Sequence, residues 1–129
     1  MSRAAFSAKV FAAYLFVVGT VLVIVPNLLL ALFGLAPTSE VWIRLIGVLA
    51  FNIGIYAWVA ATHEDRNFLV ASVYTRVVFF AAVTAFAALG LASPVLILFG
   101  VTDLLGGIWT HFALRADARG SQPLLARQY

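Results

Sequence analysis

The chain has 129 residues, of which 64% are hydrophobic and only 10% are charged. A soluble domain carries about 45–50% apolar and about 25% charged residues, and a small soluble protein has too little interior to hide such an apolar excess. The composition therefore predicts a single domain embedded in lipid. The absence of cysteine excludes disulfides, thiolate metal sites and thiol redox chemistry. The formal net charge of +3 rests on few basic residues and does not indicate nucleic-acid binding.

Four apolar stretches are long enough to cross the roughly 30 Å of membrane hydrocarbon, which takes about 20 helical residues. Backbone groups in lipid must be satisfied within the segment, so each stretch is predicted to be a helix. We place the helices at about residues 6–33, 41–62, 68–89 and 94–114. The predicted fold is an all-α transmembrane four-helix bundle over residues 1–114, followed by a polar cytoplasmic tail at 115–129.

Turn residues separate these stretches in chain order. Pro26 removes a backbone donor, so it should kink or end the first helix. The segment from Gly34 to Pro37 is predicted to be a turn, and the residues from His63 to Asn67 a short polar hairpin. Ser93 and Pro94 suit the cap and the first position of the fourth helix.

The basic residues predict the orientation of the helices in the membrane, because short cytoplasmic flanks are enriched in Lys and Arg. The loops on the side opposite the N-terminus contain no basic residue. The other side holds six basic residues: Arg3, Lys9, Arg66, Arg115, Arg119 and Arg127. Both termini are therefore predicted to be cytoplasmic. The Arg- and Ala-rich composition favours a bacterial source, which would make this an inner-membrane protein.

A faint internal repeat offers an alternative description as two tandem helical hairpins. The first and third helices are followed by similar turns, and aligning Trp58 with Trp109 places Asn52 on Asp103. The two turns read Gly34-Leu35-Ala36-Pro37 and Gly90-Leu91-Ala92-Ser93-Pro94. Two hairpins of equal orientation would be related by an axis along the membrane normal.

Polar residues within the helices are the candidate site, because burying them in hydrocarbon is costly. At about 1.5 Å per residue, Arg76 lies roughly 12 Å deep from the inner surface and Asp103 roughly 13 Å deep from the outer surface. Both fall near the middle of the bilayer, at the level of Asn52 and Thr20. Each helix thus contributes one group to a predicted central polar layer.

The layer has two interpretations, which the sequence leaves open. Arg offers five donors in a fixed fork and Asp accepts two of them, so Arg76 and Asp103 could hold an anionic or carbonyl-bearing ligand or relay a proton. They could equally form a structural clamp between the third and fourth helices, with Asn52 as a third partner.

Two further residues extend this layer towards the cytoplasm as ligand-binding candidates. Tyr56 lies about 40° from Asn52 around its helix, and His111 about 80° from Asp103. The chain's two histidines, His63 and His111, lack metal-ligand spacing. We therefore predict no metal site. No phosphate loop, nucleophile elbow, HExxH or dinucleotide-binding motif occurs, so we assign no cofactor and no catalytic residue.

Two short motifs in this four-span pattern resemble those of DoxX-like and related small bacterial membrane proteins: Arg44-Leu45-Ile46-Gly47 and Asp103-Leu104-Leu105-Gly106-Gly107. The resemblance implies a four-helix membrane fold. Some proteins of that group are linked to redox partners through cysteines, and this chain lacks the cysteines for that role. Four-span sterol-isomerase-type proteins share the architecture, but only Asp103 is placed like their cavity residues.

Three functions are compatible with the sequence. The first is a non-catalytic membrane protein, either an accessory subunit or a binder of a small apolar or lipid-like ligand. The second is a small oligomeric transporter or proton-coupled carrier that uses Arg76 and Asp103. The third is a membrane enzyme acting on a lipid-like substrate. The expected partners are the bilayer and either a second copy or a larger membrane protein, with no nucleic acid. A cavity that reaches Asp103 would favour the second or third function.

Overall fold

The computed structural model describes residues 1–126, with the side chains of residues 1–120. All regular structure in this part of the chain is helical. The elements are α1 (Arg3–Ile24), α2 (Pro26–Leu32), α3 (Trp42–Thr62), α4 (Arg66–Ala88), a 3₁₀ turn (Pro94–Leu96) and α5 (Ile97–Ala126). Among the described residues, four helical segments are long and apolar enough to cross a membrane: Arg3–Ile24, Trp42–Thr62, Arg66–Ala88 and Pro94–Gly120.

The first predicted helix is divided at Val25. This residue leaves the helical conformation, with φ −134° and ψ 60°, and Pro26 occupies the first turn of α2. Proline has a fixed φ suited to a helix start and no N–H to donate backwards, so a new helix begins there. The predicted interruption at Pro26 therefore separates α1 from the short helix α2.

The last helix extends beyond its predicted end at Leu114, because α5 continues to Ala126. The apolar run stops at Leu114, but the Arg and Ala residues of the next segment are strong helix formers, and residues 115–119 contain no glycine. Residues 115–126 of the predicted tail are thus helical. Residues 127–129, including Arg127, lie outside the described residues.

The two Gly-Leu-Ala turns have the same local geometry. Gly34 and Gly90 have φ of 68° and 73°, in the left-handed region that glycine adopts without strain. The next residue in each turn donates its N–H five residues back, from Leu35 to Leu30 at 2.8 Å and from Leu91 to the carbonyl of Phe86 at 2.9 Å. This is a Schellman cap, which satisfies carbonyls at a helix end. The repeated tripeptide therefore ends a helix in both places, and the duplication of a helical hairpin stays a prediction.

The contacts divide the chain into two compact units. Unit 1 comprises Met1–Ala8 and Ala60–Tyr129, and unit 2 comprises Lys9–Val59.

Unit 1 consists of the packed helices α4 and α5 with the first turns of α1. Its buried apolar cluster is built from small side chains and one leucine: Ala4, Ala5, Ala8, Ala61, Leu69 and Ala113. Nearer the start of α5, a Cβ at Gly100 would come within 3.2 Å of the Phe80 ring, so glycine lets α4 and α5 approach closely.

Unit 2 contains most of α1, together with α2 and α3. A Cβ at Gly19 would lie 2.7 Å from the carbonyl oxygen of Gly47, and one at Gly47 would lie 2.8 Å from that of Gly19. The two backbones therefore touch at these glycines, as in close-packed transmembrane helix pairs. The Phe16 ring of α1 lies 4.9 Å from that of Phe51 in α3, between ring centroids.

Candidate functional site

Arg76, in the middle of α4, is buried within unit 1 with only 2% of its surface exposed. Its Nη1 donates to Thr110 Oγ1 on α5 at 3.2 Å. The facing residues of α5 are Gly106 and Gly107, where a Cβ would lie 3.2 Å from Arg76 Nη1 and 3.4 Å from Arg76 Cβ, respectively. The two glycines therefore form the notch that accommodates the arginine side chain.

Asp103 lies three residues before this notch on α5 and is half-buried. Its carboxylate carries the charge opposite to that of Arg76, which lies on the packed neighbouring helix α4. An opposite charge close to a buried guanidinium reduces the cost of keeping it out of water. Arg76 and Asp103 thus both lie in unit 1, on the packed helices α4 and α5, and the pairing of their side chains stays a prediction.

Thr110 lies at the centre of a buried hydroxyl cluster. Its Oγ1 lies 2.8 Å from Ser7 Oγ of α1 and 3.1 Å from the carbonyl oxygen of Gly106, while Ser7 Oγ also lies 2.7 Å from the carbonyl oxygen of Ala4. The two hydroxyls have one hydrogen each, and these three contacts need three. At any instant one of the three contacts therefore lacks a hydrogen bond. The two hydroxyl groups can rotate to exchange which contact this is, while Arg76 continues to donate to Thr110.

The amino-terminal end of α1 is held by carboxylates from two other parts of unit 1. Asp117 of α5 accepts the backbone N–H of Arg3 at 3.3 Å and that of Ala4 at 3.1 Å. Glu64, in the loop before α4, accepts the backbone N–H of Ser2 at 2.8 Å and its hydroxyl at 2.5 Å. The first N–H groups of a helix lack intrahelical partners, and carboxylates there also favour the helix dipole. We call this set of contacts the N-terminal latch.

The two neighbouring loop acids have separate roles. Asp65 caps α4 by accepting the N–H of Phe68 at 3.2 Å, and its neighbour Glu64 belongs to the latch.

No group of three or more acidic or histidine side chains suited to a metal ion occurs in the described part of the chain.

Two predicted candidates are exposed. Tyr56 has 65% of its surface exposed on α3. His111 is exposed on α5, where its ring lies edge-on to Phe112 with centroids 5.7 Å apart.

Thr20 and Asn52 come together in unit 2. Both line a shallow apolar groove of about 240 Å³ between α1 and α3, beside Gly19 and Phe51. The predicted contact of Asn52 with Arg76 would join the two units and stays a prediction.

Arg44 of α3 contacts the helix break of unit 2 between α1 and α2. Its guanidinium donates to the carbonyl of Val23 and, at 3.5 Å, to that of Ile24. Carbonyls at a helix end lack intrahelical partners, and a cation there also favours the helix dipole. At the other end of the same unit, the Lys9 ammonium lies 4.8 Å from the Trp58 ring centroid, within cation–π distance.

Unit 1 also carries an open groove of about 620 Å³ beside the N-terminal latch. It is lined mainly by Phe6 of α1 and by Trp109 and Phe112 of α5, with Arg3 at its edge. The rings of Phe6 and Trp109 meet edge-to-face, 6.1 Å between centroids. Neither this groove nor that of unit 2 is lined by Arg76 or Asp103.

Sequence reasoning missed Ser7 and Asp117, which complete the hydroxyl cluster and the latch. Ser7 lies in an apolar run that resembles any transmembrane start. Asp117 lies among basic residues, within the predicted tail. A signal for Asp117 existed in the strong helix propensity of residues 115–119, which keeps that carboxylate on the helix.

Comparisons with protein-family models, with curated proteins and with solved structures found no match to this chain. The resemblance to DoxX-like proteins therefore rests on the two short motifs alone.

Proposed function

We propose that this chain is a multi-pass membrane protein that crosses the bilayer four times, keeps both ends in the cytoplasm and has a non-catalytic role. In that role it binds a lipid-like ligand in the membrane, alone or as the accessory subunit of a larger assembly. Its four long apolar helices support membrane insertion, and their exposed surface is largely apolar.

The N-terminal latch supports the proposed topology. Ser2 and Arg3 bond to the loop before α4 through Glu64 and to the far part of α5 through Asp117. These three segments therefore lie at one end of unit 1, as an even number of crossings requires. The same end carries Arg66, Arg115 and Arg119, and such basic flanks favour the cytoplasmic side.

The observation that carries the non-catalytic role is the surroundings of Arg76. Its guanidinium lies in the notch of Gly106 and Gly107 and is hydrogen-bonded to Thr110. Both grooves are lined by other residues. A guanidinium that faces protein side chains in this way stabilises helix packing, whereas a carrier or an enzyme needs its charged group to meet solvent or substrate.

Proton flux into liposomes separates this role from a proton-coupled carrier. Purified protein is reconstituted into vesicles that enclose a pH-sensitive dye, and an inward proton gradient is imposed. We expect the wild type and the variant Asp103→Asn to show the same slow decay as protein-free vesicles. A protein-dependent flux that Asp103→Asn abolishes and Asp117→Asn preserves would overturn the proposal in favour of transport.

A further inference from the structure

We propose that the groove of unit 1 is a binding site for an anionic phospholipid, with the acyl chain on its aromatic floor and the phosphate at its basic edge. This inference names the ligand class of the proposed function and rests on it. The floor consists of Phe6, Trp109 and Phe112, which are 51%, 44% and 60% exposed. Rings exposed at one level of a transmembrane helix pair are typical of the membrane interface.

The positions of the charges suit a phospholipid that stands with its phosphate towards the cytoplasm. Arg3 lies one turn before Phe6 on α1, nearer the helix end, and lines the groove. On α5 the lining residues Trp109, Phe112 and Ala116 are followed by Arg119, which lies beyond the lining, within about 20° of Phe112 and about 10 Å further along the helix. On both helices the arginine thus lies nearer the end of unit 1 that carries the N-terminal latch, and the aromatic side chains lie further from that end.

The nearby carboxylate of Asp117 does not cancel this basic edge. Its two oxygens accept the backbone N–H groups of Arg3 and Ala4, so its charge is directed at the positive end of α1. The carboxylate of Glu64 is likewise bonded to the N–H and hydroxyl of Ser2, so Arg3 and Arg119 leave the edge complementary to a phosphate. Arginine is suited to that ligand because its planar fork donates two parallel hydrogen bonds.

Trp109 provides a direct readout, since bromine on a lipid acyl chain quenches a tryptophan that it touches. The test uses the full chain with Trp42→Phe and Trp58→Phe, so that Trp109 is the remaining tryptophan. The protein is placed in mixed bilayers of phosphatidylcholine and phosphatidylglycerol in which one lipid or the other is brominated. We expect brominated phosphatidylglycerol to quench Trp109 more strongly than brominated phosphatidylcholine at the same mole fraction.

The arginines set the size of this preference. A basic residue near an anionic surface is worth about 1 kcal/mol, so Arg3→Gln and Arg119→Gln should each reduce the preference for phosphatidylglycerol about fivefold. Arg66→Gln is the matched control, because it removes the same charge from the same end of unit 1 on α4, a helix that contributes no residue to the groove. It should leave the preference unchanged, and soluble glycerol phosphate should not compete.

Equal quenching of Trp109 by the two brominated lipids would overturn the phospholipid site while leaving the membrane role intact. The site would also be contradicted if Arg3→Gln and Arg119→Gln behaved like Arg66→Gln. Absence of quenching by both lipids at Trp109 alone would also overturn the site, whereas its absence both at Trp109 and in a variant that retains only Trp42 would contradict membrane insertion and with it the proposed function. A variant that retains Trp42 as its single tryptophan checks the headgroup effect, because no such preference is expected at that end.

Discussion

The two units of this protein bring their helices together by different means. In unit 1, α1, α4 and α5 are joined by side-chain hydrogen bonds and charges: Arg76 to Thr110, Thr110 to Ser7, and Asp117 to the start of α1. In unit 2, α1 and α3 meet where the backbones of Gly19 and Gly47 touch, and aromatic rings pack beside them.

For helices that lie in lipid, as we propose for this protein, two kinds of interaction can bring them together. Lipid tails are as apolar as the side chains, so the hydrophobic effect does not drive helices together. Close van der Waals packing at small residues is one replacement, and interhelical polar contacts are the other. The first should be sensitive to added volume and the second to removed charge, and this contrast can be tested.

The largest effect is expected in unit 1 from Arg76→Leu or Asp103→Leu. Each change leaves its partner's charge without compensation, and we expect a loss of about 3 kcal/mol in the free energy of unfolding. The double variant should lose less than the worse single variant, because no charge is then stranded. Unfolding in mixed micelles by titration with dodecyl sulfate measures all three. Strictly additive losses would show that the two residues do not interact.

An intermediate effect is expected in unit 2 from Gly19→Ala. The new Cβ would lie 2.7 Å from the carbonyl oxygen of Gly47, a backbone atom that can move only with its helix. Such overpacking typically costs about 1–3 kcal/mol. Gly120→Ala is the matched control, because a Cβ there meets nothing within 4 Å and alanine favours the helix. If both variants melt at the same temperature in detergent, backbone approach does not hold unit 2 together.

The smallest effect is expected at the N-terminal latch. Asp117→Ala removes the acceptor of two helix-start N–H groups, and loss of a helix cap typically costs about 0.5–2 kcal/mol. Glu40→Ala, at an exposed carboxylate before α3, should be nearly neutral. Amide hydrogen exchange at Arg3 and Ala4 sharpens the comparison, since it should accelerate in Asp117→Ala and stay unchanged in Glu40→Ala. Unchanged exchange rates in both variants would show that Asp117 does not protect the N–H groups at the start of α1.

Much of the local structure followed from the sequence, because long apolar runs, proline and glycine each restrict the backbone conformation. Apolar runs of about 20 residues must be helical, proline at Pro26 must interrupt the first of them, and glycine at Gly34 and Gly90 suits a left-handed turn. The polar residues within the runs were also identifiable as candidates, since hydrocarbon makes each of them costly. These inferences need only the position of a residue in its own helix.

Tertiary structure alone decided which groups meet. Helical periodicity places Arg76 at a depth but does not say that Gly106 and Gly107 open a notch for it, or that Ser7 of α1 reaches Thr110. Asp117 lies in a segment whose polar composition is typical of a tail, yet its partners are N–H groups more than a hundred residues earlier in the chain. The sequence determined the helices and their polar residues through local physics. Only the packing of one helix against another determined how those residues are paired, because that pairing depends on helix rotation and separation, which no single segment encodes.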